Sequence, residues 1–364
     1  MKVALLIQHG KIGGIELHVL TLALGLIERG DEPIVVMLFG GGPLIDLLDQ
    51  HEIGYVTLGG RNGHDPRALY RLFTFLRRQL PDILHVHAVS FVVASMLVFW
   101  RKPKVVVTEH MSKLGRKVPW RTKLLWRLLY FRSEKVICVS NSTKSAVLDV
   151  FPQLQSRAVT VYNGISESST DSADAAKEIS ESPLPKQLIV GAVGRLAEGK
   201  GWMEFLEIAR EVCAVIPNVR FQIVGDGPIY DQLVSKTKSL GLANVVIFRG
   251  YQANPRTIVR NFDLYLLLSE HEACPLTFIE AFAERTPVAG FLPIGGVSEI
   301  NDGISPLLES RDPSAVAEIA LQLLEDPSKR NLQAKKAYNR YLENYTSNKM
   351  IQAIRKIYKC VDNR

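Results

Sequence analysis

The stretch QLIVGAVGRLAEGKG (187–201) decides how the chain is read. An apolar run enters a turn at Gly191 and Gly194, Arg195 and Lys200 follow, and a helical period starts at Trp202. A continuously apolar strand, a glycine-bearing turn and a helix make up the βα unit of a parallel sheet covered on both faces. Downstream the unit repeats, with strands RFQIVG (220–225), VVIFRG (245–250), LYLLL (264–268) and PVAGF (287–291). Helical periods separate them near 202–213, 228–240, 255–261, 276–284 and 313–326.

Upstream the same alternation has already run once. VALLI (3–7), PIVVMLF (33–39), ILHVH (83–87), VVVT (105–108), VICVS (136–140) and AVTVY (158–162) read as strands. Helical patterns lie at about 15–29, 66–79, 89–100, 119–132 and 141–150. SESSTDSADAAKEISESPLP (166–185) divides the two series and is too polar to bury a face. A final helix over about 331–360 carries Tyr338, Tyr341, Tyr345, Ile351, Ile354 and Tyr358 on one side. The expectation is an α/β chain of two Rossmann-like, doubly wound domains facing a central cleft: 1–165, a polar linker 166–186, and 187–344, with a helix at 345–364 crossing back to the first domain.

Composition agrees and excludes much else. The 364 residues suit two domains, and a 47% hydrophobic share with 22% charged is that of a globular protein. The four cysteines, Cys138, Cys213, Cys274 and Cys360, are too dispersed for a disulfide framework or a metal knuckle. The longest apolar stretch, 88–100, has 13 residues, short of the roughly 20 that cross a bilayer.

The net charge of +7 is local: residues 100–135 hold 11 basic and two acidic side chains and three of the four tryptophans. Within it PWRTKLLWRLLYFR (119–132) alternates apolar and basic residues at helical spacing. Trp120, Leu124, Leu125, Leu128 and Phe131 share a face flanked by Arg121, Arg127 and Arg132, with Arg116 and Lys117 just before it. Such a helix suits an anionic membrane surface, against the plainer reading of a core helix with a solvated basic side. Nothing resembles a nucleic-acid recognition helix or an aromatic-studded sheet.

Four constellations carry chemistry. Gly194, Arg195 and Lys200 at a strand-to-helix turn suit a diphosphate. SEHEACPLTFIEAFAERTPV (269–288) places Glu272 on a loop and Glu280 on a helix eight residues on, a spacing for two points of a hydroxyl-rich ligand. Gly295 and Gly296 precede a short helix, where bare backbone N–H groups bind anions. VGDGP (224–228) reads equally as a structural turn or a ligand loop. In the first half, HGKIGGIELH (9–18) opens a helix at Gly13 and Gly14. His85, His87 and His110 have a metal-ligand spacing without a carboxylate or cysteine partner, and hydrogen bonding or acid–base work suits them better.

In this order the motifs resemble the retaining glycosyltransferases of family 4, which have the GT-B fold. The match rests on GGIELH, DILHVH (82–87), TEH (108–110), VSNST (139–143), VYNGI (161–165), GRLAEGKG (194–201), VGDGP, the Glu272/Glu280 pair and GGVSEI (295–300). The resemblance implies that Arg195 and Lys200 hold a donor diphosphate and that Glu280 binds its ribose. Glu272 would contact the sugar, with Ala273, Cys274, Pro275 and Leu276 orienting it. Gly13, Gly14, Gly194, Gly295 and Gly296 would line the donor, and His110 would stand near the reacting centre. It implies a UDP- or GDP-sugar co-substrate, no other cofactor and no metal, and the chain has no DxD motif. Three departures from the pattern are Ala273, where glycine is usual, DGISPLL (302–308), and residues 166–185, which are more polar than a typical interdomain passage.

The expected activity is transfer to a glycolipid, lipopolysaccharide or other cell-surface glycan at the cytoplasmic face of the inner membrane. Arg116, Lys117, Trp120, Arg121 and Arg127 would meet the acceptor or membrane. A soluble enzyme with a small acceptor and a non-catalytic GT-B binding protein are the alternatives. Intact Arg195, Lys200, Glu272 and Glu280 weigh against the last.

Overall fold

The computed structural model describes residues 1–62, 65–87, 103–111, 120–167 and 187–362, with residues 120–122 by backbone alone. The helical pattern at 89–100, Arg116, Lys117, the side chains of Trp120 and Arg121, and most of the polar linker lie outside the described residues. The chain forms two compact units, Met1–Ser166 with Ser347–Arg364, and Glu167–Thr346.

In the first unit seven parallel strands take the order β3-β2-β1-β4-β5-β6-β7. They are β1 (Lys2–Ile7), β2 (Glu32–Met37), β3 (Tyr55–Thr57), β4 (Ile83–Val86), β5 (Lys104–Glu109), β6 (Lys135–Cys138) and β7 (Ala158–Thr160). Between them run α1 (Gly14–Ile27), α2 (Leu44–Gln50), α3 (Pro66–Gln79), α4 (Trp120–Arg132) and α5 (Asn141–Val150). Local chemistry sets the boundaries. Asp65 accepts the Arg67 N–H at 2.9 Å before Pro66 opens α3, and Ser140 caps α5 through the Thr143 N–H at 3.1 Å. One face of the sheet buries Leu6, Val36, Leu84, Val107 and Trp126; the other buries Leu5, Val35, Val106 and Ile137.

The basic helix α4 packs differently from its sequence pattern. Trp126, Leu129 and Tyr130 go into the core, whereas Leu124, Arg127 and Phe131 are exposed. Tyr130 turns inward because its hydroxyl donates to the buried Glu109 carboxylate at 2.5 Å.

The second unit has a six-stranded parallel sheet in the order β10-β9-β8-β11-β13-β15. Its strands are β8 (Leu188–Val193), β9 (Val219–Val224), β10 (Val246–Gly250), β11 (Leu264–Leu267), β13 (Val288–Phe291) and β15 (Leu307–Leu308). A separate pair, β12 (His271–Glu272) and β14 (Ile294–Gly295), joins two loops above it. The helices are α6 (Trp202–Val215), α7 (Tyr230–Ser239), α8 (Arg256–Val259), α9 (Leu276–Ala283), α10 (Val297–Asn301), α11 (Pro313–Glu325) and α12 (Pro327–Asn344).

The single C-terminal helix expected over 331–360 is two. After α12 the chain leaves helical geometry at Tyr345, and α13 (Ser347–Asp362) begins with the Ser347 N–H donating to Ile165 O at 2.7 Å. α13 belongs to the first unit, where Ile351, Ile354 and Tyr358 join the core and Arg355 meets Asp31 at 2.6 Å. Among the described residues no helix is long and apolar enough to cross a membrane.

Candidate functional site

In each sheet the strand order reverses once, and ligands of doubly wound folds bind at the carboxyl ends of the strands flanking that reversal. In the second unit the flanking strands are β8 and β11. The loop after β8 carries Arg195 and Lys200, and the loop after β11 carries Glu272. The fold brings Lys200 and Glu272 together across 72 residues of sequence, Nζ to Oε1 at 2.6 Å.

Backbone contacts hold these loops in place. Glu270 N–H donates to Gly199 O at 2.9 Å, Ile294 N–H to Glu270 O at 2.8 Å, and Gly296 N–H to Glu272 O at 2.9 Å. The Gly296 amide is therefore not bare as the sequence suggested, because it secures the loop that presents Glu272. Gly295 pairs in register with Glu272. The VGDGP turn is tied by backbone bonds to the loop after β8: Leu196 N–H donates to Asp226 O at 2.9 Å, and Gly194 N–H to Val224 O at 3.0 Å. Gly225, at φ +142°, leaves space that Gly194 O fills; a Cβ there would lie 1.9 Å from that oxygen. Trp202 Nε1 donates to Arg195 O at 2.9 Å, which leaves the exposed Arg195 guanidinium at the turn.

Pro275 and Cys274 are buried at the start of α9, with Ala273 and Leu276 half-buried beside them. Glu280, one turn into the helix, is only 6% exposed. Burial pushes its carboxyl up to about 7, with Arg256 pulling down and Glu284 pushing up. Its Oε2 has no hydrogen-bond partner, whereas Glu284 next to it is held by Arg256 at 2.6 Å and Arg260 at 3.0 Å. A buried carboxylate oxygen left unpaired costs about 1–3 kcal/mol, a cost that a hydrogen-bond donor reaching it would remove. The Glu284 pair was missed in the sequence; its neighbours are separated from it by 24 and 28 residues.

In the first unit the reversal falls between β1 and β4. Gly13 precedes α1 in extended geometry, and the Leu17 N–H closes the first helical bond on Gly13 O at 3.0 Å. Gly14 starts the helix, and the buried Glu16 lies in its first turn, 3.6 Å from His9. Four histidines gather at this end. His85 uses both ring nitrogens, Nδ1 with Tyr358 Oη and Nε2 with Thr108 Oγ1, each at 2.6 Å. His87 Nδ1 lies 3.2 Å from His110 Nε2, and His18 from α1 packs edge-on against His110 with ring centroids 5.0 Å apart. Burial drives His85, His87 and His110 well below the ordinary imidazole range and His18 to about 4, so all four are neutral at pH 7. The trio is thus His18, His87 and His110, with His85 tied off by Tyr358. His18 lies in the quoted GGIELH motif, one turn after Gly14; that spacing was the available signal.

Comparison with known proteins follows the same division. The family model described as Glycosyltransferase Family 4 matches residues 12–169, and that described as Glycosyl transferases group 1 matches residues 174–340. The lipopolysaccharide core biosynthesis glycosyltransferase LpsE of Rhizobium meliloti is 27% identical over 335 residues, covering 91% of each chain. The N-acetyl-alpha-D-glucosaminyl L-malate synthase of Bacillus anthracis is 28% identical over 294 residues, 78% of this chain and 75% of that one. Among solved structures, Anabaena HepE in complex with UDP superposes with a TM-score of 0.81 at 21% identity, covering 99% of this chain and 100% of that one.

Proposed function

Because the chain belongs to the family 4, group 1 glycosyltransferases of GT-B fold, we propose that it moves a sugar, with retention, from a UDP- or GDP-sugar to a glycolipid, lipopolysaccharide or other cell-surface glycan. The buried Glu280 carries this reading: its unpartnered Oε2 suits a ribose hydroxyl, a donor that also offsets the cost of burying the group. Arg195 and Lys200 would neutralise the diphosphate. On donor binding Lys200 exchanges Glu272 for phosphate oxygens, which frees the Glu272 carboxylate for sugar hydroxyls. The anomeric carbon–oxygen bond to phosphate then breaks as the acceptor hydroxyl attacks from the same face, and the leaving phosphate takes the acceptor proton. Fixed cations stabilise the charge that develops there, so the reading requires no divalent metal for transfer. His110 would orient the reacting groups.

We place transfer in the cytoplasm, and the described half of α4 supports a peripheral site on an anionic surface. Leu124, Arg127 and Phe131 are exposed together. An open hollow at the helix end is lined by Phe131, Arg132, Lys135 and Arg157 with one acidic residue, Glu134, so basic side chains outnumber it three to one. A small soluble acceptor is the second reading, favoured by the likeness to the malate synthase of Bacillus anthracis; the near full-length likeness to LpsE favours the glycan. Titration calorimetry with UDP and GDP tests the site. Glu280→Ala is expected to weaken binding of the preferred nucleotide by about tenfold or more, the worth of one charge-assisted hydrogen bond. Wild-type affinity in that variant would overturn the ribose assignment.

A further inference from the structure

We infer that His18, His87 and His110 form a binding site for one divalent transition-metal ion, zinc above all, within the first unit. One ligating atom from each residue lies within 4.8 Å of the others. Two ring nitrogens, His18 Nε2 and His87 Nε2, are buried without a hydrogen-bond partner. Orphaned polar atoms in a core are rare and expensive, and a metal ion is one of the few things that satisfies a lone pair in so dry a place.

The surroundings favour ligation over simple packing. His18 Nδ1 lies 3.0 Å from Asn163 Oδ1, so Nδ1 carries the proton that donates to that oxygen and Nε2 presents its lone pair. A ligating histidine is commonly fixed in this way, with its second nitrogen donating to an oxygen. His85, 4.0 Å from His87 between ring centroids, is excluded because Tyr358 and Thr108 occupy both its nitrogens. Burial keeps all three ligands neutral, the form that binds a metal. Three imidazoles without a carboxylate suit zinc, and copper or nickel compete on affinity. Zinc–nitrogen bonds of 2.0–2.1 Å require ligand atoms about 3.3 Å apart, which a small inward movement of the three rings supplies. His110 is the least buried of the three, and a water would supply the fourth ligand of a tetrahedral site.

The ion would engage His110, so zinc would slow transfer. That consequence rests on the role proposed for His110; the binding itself does not. The test uses the full-length chain stripped with a chelator and titrated with Zn²⁺ and Co²⁺. One equivalent of Zn²⁺ is expected to bind and raise the melting temperature, and Co²⁺ should give the visible absorption of a tetrahedral nitrogen site. His18→Asn and His87→Asn should each weaken binding at least about tenfold while melting like the metal-free wild type. If those variants fold poorly, zinc protection of His18, His87 and His110 from diethyl pyrocarbonate, mapped by peptide mass in the wild type, gives the same answer. No binding, or unchanged binding in both variants, overturns the site. Binding without inhibition leaves the site standing and removes His110 from the chemistry.

Discussion

At the scale of single residues, the second unit keeps a destabilising group at its centre. Glu280 holds its proton up to about pH 7 in the fold, against 4.5 for the ordinary carboxyl. In that window the native state binds more protons than the unfolded one, so rising pH lowers stability. A shift of this size corresponds to about 3 kcal/mol. Glu280→Gln is therefore expected to stabilise the ligand-free protein at pH 8, with the gain gone near pH 4.5; urea unfolding at the two pH values checks this. Nucleotide affinity is expected to rise between pH 6 and 8 as Glu280 ionises and accepts more strongly, and the same substitution should flatten that rise. Lys200→Ala should lower turnover by about 10²–10³, as loss of one preorganised charge partner does; steady-state kinetics with a saturating donor measures it. The identity of these residues was legible in the spacing of the motifs. Their partners were not: Lys200 meets Glu272 across 72 residues, and only the strand order sets that distance.

At the scale of elements, backbone proximity does what side chains do elsewhere. The β9–α7 turn lets Gly225 lie under Gly194 O. Gly225→Ala meets that oxygen and is expected to cost more than about 3 kcal/mol and to weaken nucleotide binding, read from a denaturant midpoint and a UDP titration. α1 and α13 approach as closely, since a Cβ at Gly25 would lie 2.1 Å from Ile351 Cδ1. The helices and the main strands were legible because apolar runs and helical periods alternate so regularly. α4 shows where that reading stops. Its apolar residues occupy more than one face, and the face that turns inward is selected by a buried acceptor, Glu109, that no helical period reveals. The two-residue strands β12 and β14 leave no periodic trace at all, yet they fix the Glu272 loop.

For the whole molecule, four buried neutral imidazoles in the first unit set its response to acid. The unfolded chain takes up protons near pH 6.5 while the native unit resists, so this contribution is full above pH 6.5 and is lost on acidification. Glu16 and Glu109, raised by burial, act in the opposite sense. With the histidines in the majority, the first unit is expected to weaken between pH 7 and 5 and the second to strengthen. Urea unfolding followed in variants retaining only Trp126 or only Trp202 separates the two. The order of the chain adds a consequence in time. The second unit is inserted between β7 and α13, so a ribosome must make 180 residues, from Glu167 to Thr346, before α13 exists. At 5–20 residues per second that is roughly 10–40 s during which the first unit lacks Ile351, Ile354 and Tyr358 and His85 lacks its phenol partner. The unit begun first on the ribosome is thus finished last, and its open apolar face is what a nascent-chain chaperone would find.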